Sequence, residues 1–363
     1  MYSVLLLLLL PLWSHAQIVT ASYDRTVLSK NPASSTTRNL GQIALFSSFN
    51  NSQSEITEAT AGSSTSVTWD EKIKMNKTGI YFTGHGRFSP ELYVSNDTAE
   101  KSLSLNLAGS TNNQNLKTTM LNNMVNLGLR LTRRFSIGFK YFSPTYNKKE
   151  EYAAKDSSGA DFTFTRQSNN KITGVGGGAT YQISPGWYWG AYYISIKQKI
   201  KESVAYTGSI VVPDSSFDGE LSQKQYGTGI SYLSRSRFKG MRLELAYSRM
   251  DQDPTYKQPY GEEIYSALEF SHRILTFGLS AKLRKNAYFD SIELLDYLAG
   301  SKNFSETFTP TYGGFLSLGS SKGHTLGLSG LMYKANGEKK LFNRDQKALT
   351  TFQSLMVSYA YLF

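Results

Sequence analysis

The sequence predicts an all-β fold: a transmembrane, antiparallel, up-and-down β barrel of about 14 strands with an N-terminal plug segment. Three observations predict it. Segments of about ten residues alternate apolar and polar side chains, short and long connections alternate between the segments, and the last strand is aromatic. The 363-residue chain is 40% hydrophobic and 18% charged, and its 24 Tyr and 30 Gly favour β structure over disorder.

The first 16 residues are predicted to be a signal peptide. Val4–Leu10 is an unbroken apolar run, too short to cross a bilayer as a helix, and Ser14-His15-Ala16 fits a cleavage site. No Lys or Arg precedes the run. Residues 17–39 are predicted to form a periplasmic N-terminal plug, or hatch, and residues 40–363 the outer-membrane barrel. No later apolar stretch is long enough for a transmembrane helix.

Period-two alternation defines the strands. Val125, Leu127 and Leu129 alternate with polar or glycine residues, as one apolar and one polar strand face require. Five pairs of such strands meet across short turns: 123–132 with 135–143, 172–183 with 187–200, 224–234 with 238–249, 263–272 with 274–284, and 312–319 with 323–333. Long polar stretches predict external loops at 110–122, 144–171, 201–223, 250–262, 285–311 and 334–349.

The C-terminal strand places Tyr359, Tyr361 and Phe363 on one face. A terminal aromatic strand of this kind resembles the assembly signal of bacterial outer-membrane proteins, and it implies the barrel-assembly machinery as a partner. Closure into a barrel would remove the exposed edge of this strand. An even barrel requires an odd number of strands in 40–109; three give 14 and five give 16. We predict three: 40–49, one within 64–84, and part of 87–109.

The same alternation directs charged side chains toward the lumen. The predicted lumen residues are Arg130, Lys140, Arg242, Glu244 and Lys282. They form either a basic ladder that favours anions or a set partly neutralised by Glu244, and both interpretations stay open. A lumen of this width is not filled by side chains alone, so water, a loop or the N-terminal plug must occupy it.

Several kinds of site are excluded or disfavoured. Without cysteine there are no disulfides, thiolate metal sites or cysteine nucleophiles, and the four histidines have no zinc-site spacing. No G-x-S-x-G motif is present, and the glycine-rich run Gly174–Gly178 suits close packing better than phosphate binding. The basic residues behind the net charge of +11 are scattered, which disfavours nucleic acid. We expect no catalytic residue, metal or cofactor, and no enzyme; a hydrolase on the barrel wall is the minor alternative.

The run Val27-Leu28-Ser29-Lys30-Asn31-Pro32-Ala33-Ser34, followed by a strand at 41–49, resembles the hatch of the FadL family. These are outer-membrane transporters for long-chain fatty acids and other hydrophobic compounds. Arg134–Phe139, closed by Ser143-Pro144, resembles a mid-barrel strand of that family. Ser34 stands where the family usually has Gly. The resemblance implies a 14-stranded barrel whose hatch contains Asn31, Pro32 and Ala33, and which passes hydrophobic molecules passively.

The expected function is therefore passive transport of hydrophobic, fatty-acid-like molecules across the bacterial outer membrane by a multi-pass barrel. Two alternatives remain: a general porin with anion preference, and a closed structural barrel that acts through its external loops. Outer-membrane lipids, lipopolysaccharide and a hydrophobic ligand are the expected partners.

Overall fold

The computed structural model describes residues 30–37, 41–60, 66–107, 110–155, 161–208, 215–235, 239–252, 261–272, 274–285, 302–304, 309–319, 323–341 and 344–363. The signal peptide predicted at 1–16 lies outside the described residues. So does most of the predicted plug, residues 17–29 and 38–39.

The described residues form a short 3-10 helix, Pro32–Thr37, and sixteen strands. The strands are β1 (Gln42–Thr60), β2 (Ser66–Thr83), β3 (Phe88–Leu107), β4 (Ser110–Arg130), β5 (Phe135–Phe142), β6 (Thr145–Lys155), β7 (Asp161–Ser184), β8 (Trp187–Gly208), β9 (Ser215–Arg235), β10 (Lys239–Gln252), β11 (Gly261–His272), β12 (Leu275–Lys285), β13 (Lys302–Phe304), β14 (Thr309–Gly319), β15 (Gly323–Leu341) and β16 (Arg344–Leu362). In the part of the chain that the structure describes, no helix is long and apolar enough to cross a membrane.

The strands close into an antiparallel barrel with 14 positions around its wall. The wall positions follow the order of the chain, and the seam is closed because β16 pairs with both β15 and β1. β5 and β6 share one position, since both pair with β4 and β7. β13 and β14 share another beside β15. The predicted count of 14, with three strands before residue 109, is confirmed.

Ser143-Pro144 separates β5 from β6 without opening the wall. Proline has no N–H to donate to a sheet ladder. The ladder nevertheless continues on both sides, because the Ser143 N–H donates to Asn123 O (3.1 Å) and the Pro144 carbonyl accepts from the Ile172 N–H (2.9 Å). The run that resembles a FadL mid-barrel strand is therefore one continuous wall position with a local break.

The prediction of long external loops is wrong over four of the six stretches. Residues 110–122 lie in β4, and most of 144–171, 201–223 and 334–349 continues as strand. On β8, exposed Lys197, Lys199 and Lys201 alternate with buried Ile196, Gln198 and Ile200. Period two persists there although the outer face has become polar, because the strand continues beyond the height that needs an apolar exterior.

The outer wall is apolar near the rim of short turns and polar beyond it. On β1, Ile43, Leu45 and Phe49 are exposed, and polar side chains follow from Asn51 onward. The tight turns include Pro185-Gly186, where Gly186 adopts a φ of 83°, a conformation that favours glycine. A band of exposed apolar residues flanked by aromatic side chains is typical of a membrane-spanning barrel.

Candidate site at the N-terminal segment and inner wall

Residues 30–37, the N-terminal segment, lie inside the barrel. Asn31 and Ser35 are completely buried, although every residue from 31 to 36 except Pro32 and Ala33 is polar. The local sequence explains the turn of 3-10 helix. The Asn31 side-chain oxygen accepts from the Ala33 N–H (3.0 Å), as a helix cap does, and Pro32 supplies a helical φ at the first position.

Three glycines on adjacent strands form the surface on which this segment rests. Gly128 on β4 faces Gly138 on β5, and Gly138 faces Gly178 on β7, so the three lie side by side across the wall. A Cβ atom at any of them would come under 3.0 Å from the segment. The nearest atoms belong to Ser35 at Gly128, to the Pro32–Ala33 backbone at Gly138, and to the Asn31 side chain at Gly178. This glycine row (Gly128, Gly138, Gly178) is a groove that any side chain would fill.

Hydrogen bonds fix the segment to the same side of the wall. The Asn31 amide donates to Ala179 O (2.9 Å), and Ser35 Oγ donates to Ser89 O (3.1 Å). The Thr36 hydroxyl donates to Ser136 Oγ (2.8 Å).

Arg130, a predicted lumen residue, supplies a further contact, because its guanidinium donates to the Thr36 carbonyl. Arg130 therefore lies beside the predicted hatch residues, which are Asn31, Pro32 and Ala33.

Lys30 connects the segment to the other side of the barrel. Its ammonium lies 3.3 Å from the carboxylate of Glu263 on β11, and both side chains are buried. Glu263 also lies 3.1 Å from Arg284 and 3.9 Å from the predicted lumen residue Lys282. One carboxylate thus faces three cations at the point where the segment meets β11 and β12.

The remaining predicted lumen residues lie in two further clusters. Arg242 is completely buried, and its guanidinium pairs with the carboxylates of Glu244 and Glu269. Lys140 is buried opposite Asn126, which in turn lies opposite Glu91.

Glu91 is held firmly within the Lys140 cluster. It accepts hydrogen bonds from Tyr81 OH (3.0 Å) and from the Asn126 amide (2.5 Å).

The composition of these clusters bears on whether the predicted lumen residues form a basic ladder or are partly neutralised by carboxylates. All five predicted charged residues lie on the inner side of the wall, but each cluster of buried cations contains at least one carboxylate. Glu91, Glu263 and Glu269 were missed at the sequence level. Glu263 and Glu269 occur in phase with buried Tyr265 and Ala267, so strand alternation on β11 was the signal that would have found them.

A continuous set of buried apolar side chains, the apolar inner wall, lines β2 to β8 on the side of the N-terminal segment away from the short turns. Its members include Ile73, Met75, Tyr81, Tyr93, Met120, Met124, Phe142, Ile172, Ile194 and Ile196. These side chains are each at most 8% exposed and form one packed cluster inside the barrel. Aliphatic, aromatic and methionine side chains are also the kinds that contact apolar ligands of varied shape.

One polar group interrupts this apolar surface. The Lys77 ammonium lies 3.5 Å from the Asp97 carboxylate and 5.3 Å from the ring centroid of Tyr93. Asp97 also accepts hydrogen bonds from Ser95 (2.9 Å) and Asn122 (2.9 Å). The cation is therefore compensated by a carboxylate, as in the lower clusters.

A cavity of about 520 Å³ lies elsewhere, against the barrel wall between β8 and β14. Its large lining side chains, Trp187, Leu243, Leu245, Leu279 and Tyr312, are exposed and face outward. It is a depression in the lipid-facing surface and does not belong to the lumen site. Among the described residues, no three His, Asp or Glu side chains are grouped to hold a metal ion.

No family profile and no curated protein matches this sequence. Solved structures do. The P. putida toluene transporter TodX is similar over 94% of this chain and 95% of its own, with a TM-score of 0.61 and 10% identity. The fold is that of the FadL-type barrels.

A Pseudomonas aeruginosa FadL homologue is similar over 91% of this chain and 92% of its own, with a TM-score of 0.55 and 9% identity. The Ralstonia pickettii toluene transporter TbuX covers 92% of each chain, with a TM-score of 0.50 and 10% identity. At such identities the likeness to FadL-type barrels concerns architecture, and residue roles rest on the contacts of this chain.

Proposed function

We propose that this chain is a passive channel for hydrophobic small molecules in the bacterial outer membrane. The observation that carries the proposal is the apolar inner wall, which ends at a buried N-terminal segment seated on the glycine row. A ligand would leave water for this surface because burial of apolar area is favourable by about 25 cal/mol per Å². The TodX and TbuX structures are toluene transporters, which agrees with an apolar substrate.

The orientation follows from the connections. In outer-membrane barrels the short turns face the periplasm. The rim formed by the turns 84–87, 131–134 and 185–186, where Gly41 and Phe363 also meet, is then the periplasmic end. Ligand would enter at the far rim, reach the apolar inner wall and stop at the N-terminal segment, which acts as the plug.

A ligand that passes the N-terminal segment would continue along the lumen. Beside the segment β3, β4, β5 and β7 remain paired through Phe88–Leu129, Gly128–Gly138 and Gly138–Gly178. A ligand at this height therefore meets intact backbone ladders, and the movable obstacle is the segment itself. We infer that transport requires a transient displacement of residues 30–37 from the glycine row.

A porin with anion preference is the weaker alternative for two reasons. The segment occupies the lumen, and each cluster of buried cations contains a carboxylate, so the cations do not form an uninterrupted basic ladder along the lumen. We assign no catalytic role to any residue, since no group of side chains forms a nucleophile–base pair in the lumen clusters described above.

The roles of the chain ends are part of the same proposal. Phe363 exchanges two main-chain hydrogen bonds with Gly41 (3.0 and 3.1 Å), and its ring stacks near Phe82. We propose that Tyr359, Tyr361 and Phe363 form the strand that the barrel-assembly machinery recognises, and that residues 1–16 are removed on export.

The deciding experiment compares the full mature chain with a variant lacking residues 17–37. Single-channel conductance is measured in planar bilayers, and uptake of toluene and of a long-chain fatty acid is measured in bacteria lacking such transporters. We expect the intact protein to be electrically silent but to speed uptake, and the deletion to conduct ions steadily. Large conductance in both proteins would establish a porin, and silence without uptake in both would establish a structural barrel.

A further inference from the structure

The outer face of β7, β8 and β9 carries a group of exposed lysines beyond the apolar band. This lysine patch consists of Lys171, Lys197, Lys199, Lys201 and Lys224. The alternation of each strand turns all five side chains away from the lumen, so none of them takes part in the lumen site.

The patch begins at the height where the hydrocarbon layer ends. Below it, the outward residues of β8 run from Trp187 to Ser195, and those of β7 run from Ile183 to Thr173. These stretches match the length of about 9–11 residues with which a tilted strand crosses the hydrocarbon core. The lysines therefore lie at the level of lipid head groups, on the side of the apolar band away from the short turns.

The patch contains one pair of like charges in direct register, and one of these two lysines, Lys199, also has Glu220 as its register partner on β9. Lys171 and Lys199 are direct partners on neighbouring strands and point to the same side. Like charges directly opposite each other destabilise a sheet. Lys197 lies one alternation below Lys199, and Lys224 pairs with Ser195 beside it.

Acidic neighbours compensate only part of this charge. Glu220 lies 3.2 Å from Lys197, and Asp218 lies 3.4 Å from Lys201. Across the described parts of β7, β8 and β9, five lysines thus face two carboxylates. A third carboxylate, Asp251 of β10, is the register partner of Lys224 and pairs with Arg249.

Outward lysines on β2 and β6 do not show this excess. On β2, exposed Lys74 is paired in register with exposed Glu100 of β3, and Lys72 is the next outward residue. On β6, Lys149 lies 3.5 Å from Glu151. Among the described residues, the excess of lysine over carboxylate is therefore larger on β7, β8 and β9 than on these two strands.

We propose that the lysine patch binds the phosphate groups of a phosphorylated glycolipid of the lipid A type in the outer leaflet. Phosphate oxygens accept hydrogen bonds from several ammonium groups at once, and Lys binds phosphate as a compact charge. The acyl chains of such a lipid would lie against exposed Val175 and Tyr193 directly below. The inference rests on the proposed orientation, which places the lysine patch at the outer leaflet.

The test uses the full mature protein in detergent and measures bound lipid by native mass spectrometry. Lipid A is titrated, with dephosphorylated lipid A and inorganic phosphate as separate arms. The variant Lys171→Gln/Lys197→Gln/Lys199→Gln is compared with Lys72→Gln/Lys74→Gln/Lys149→Gln, which removes the same charge outside the patch. Since each lysine near a charged lipid surface contributes about 1 kcal/mol, we expect at least about tenfold weaker lipid A binding in the first variant only.

A second variant covers the case in which the triple variant fails to fold. Glu220→Gln removes the acid beside Lys197 and is expected to tighten lipid A binding. Equal affinities in all variants, or equal losses in both triple variants, would overturn the proposal. Equal binding of dephosphorylated lipid A would also overturn it, and full displacement by millimolar inorganic phosphate would assign a general anion site instead. Hydrophobic uptake is measured on the same proteins, so a failure of transport with intact lipid binding would count against the transport proposal alone.

Discussion

At the scale of single residues, the site depends on three inner-wall positions that are glycine and therefore carry no side chain. Gly128, Gly138 and Gly178 place backbone at the height where other inner-wall positions carry side chains, and the N-terminal segment fills the space. Each glycine contacts a different part of the segment, so the row is sensitive to substitution along its whole length.

Replacing Gly138 by Ala should displace the segment. The new Cβ would meet the Pro32–Ala33 backbone, and overpacking of this kind costs about 1–3 kcal/mol. We expect the open-channel frequency in planar bilayers to rise by about tenfold or more, with the barrel still folded. Gly314→Ala is the control, because Gly314 faces outward with its nearest neighbour at 3.5 Å. Unchanged conductance in Gly138→Ala would mean that the segment does not close the lumen.

Replacing Lys30 by Met should loosen the segment without disturbing the wall. Glu263 keeps Arg284 and Lys282 as partners, so the barrel does not acquire an isolated buried charge. Loss of one charge-assisted contact corresponds to about 1.5–3 kcal/mol. We expect faster hydrogen exchange at residues 31–37 by mass spectrometry. Lys334→Met, at an exposed position on β15, should leave exchange unchanged; equal exchange in both variants would show that the Lys30–Glu263 pair does not hold the segment.

At the scale of elements, the strands are longer than a membrane requires. β7 has 24 residues and β8 has 22, compared with about 9–11 for a membrane crossing. The sequence predicted the turns and the lower halves of these strands from their apolar outer faces. It did not predict the upper halves, because a strand that is polar outside looks like a loop unless the buried partners Ile196, Gln198 and Ile200 are recognised as one phase.

Cysteine labelling can measure where each strand leaves the membrane, since the natural chain has no cysteine. On β7, exposed Val175 and Gln167 point outward eight positions apart. In liposomes, a membrane-impermeant maleimide should modify Gln167→Cys readily and Val175→Cys at least about tenfold more slowly, because lipid covers the apolar band. Detergent-solubilised protein serves as the control, in which both sites should react. Equal rates in liposomes would contradict the placement of the band.

The lumen site was predictable in part for a related reason. Alternation on β4, β5, β10 and β12 placed Arg130, Lys140, Arg242 and Lys282 toward the inside. It could not show that these four residues lie in separate groups, because alternation gives the face on which a side chain lies and not the partners that it meets across the wall or the lumen. Glu263 on β11 and Lys30 in the segment meet only through the closed wall.

At the scale of the whole molecule, closure determines stability. β1 pairs with β16 along their full lengths, from Gln42 with Leu362 to Thr60 with Arg344. A barrel has no unpaired edge in the hydrocarbon layer, where every unpaired backbone group would cost several kcal/mol. Closure also made the number of strands predictable. A closed antiparallel barrel of this kind has an even number of strands, which left 14 or 16 for this chain.

Removing Phe363 should impair closure at the seam. The deletion removes two main-chain hydrogen bonds to Gly41 and the ring that covers this glycine. Two such bonds contribute about 1–3 kcal/mol, so we expect a several-fold lower yield of folded barrel, assayed by heat-modifiable migration on gels. Phe88→Ala, which removes an exposed ring from the same rim, is the matched control. A normal yield for the deletion would show that the seam closes without its last residue.

The β1–β16 seam also constrains how the protein reaches its membrane. Its two strands lie at opposite ends of the described chain, so the contact order of the seam is close to the largest that the chain permits. Non-local pairings of this kind form slowly and only after the intervening chain is in place. A nascent chain that inserted strand by strand would expose an open edge to lipid at each step. The pairing of the first strand with the last is therefore the step that removes the open edge.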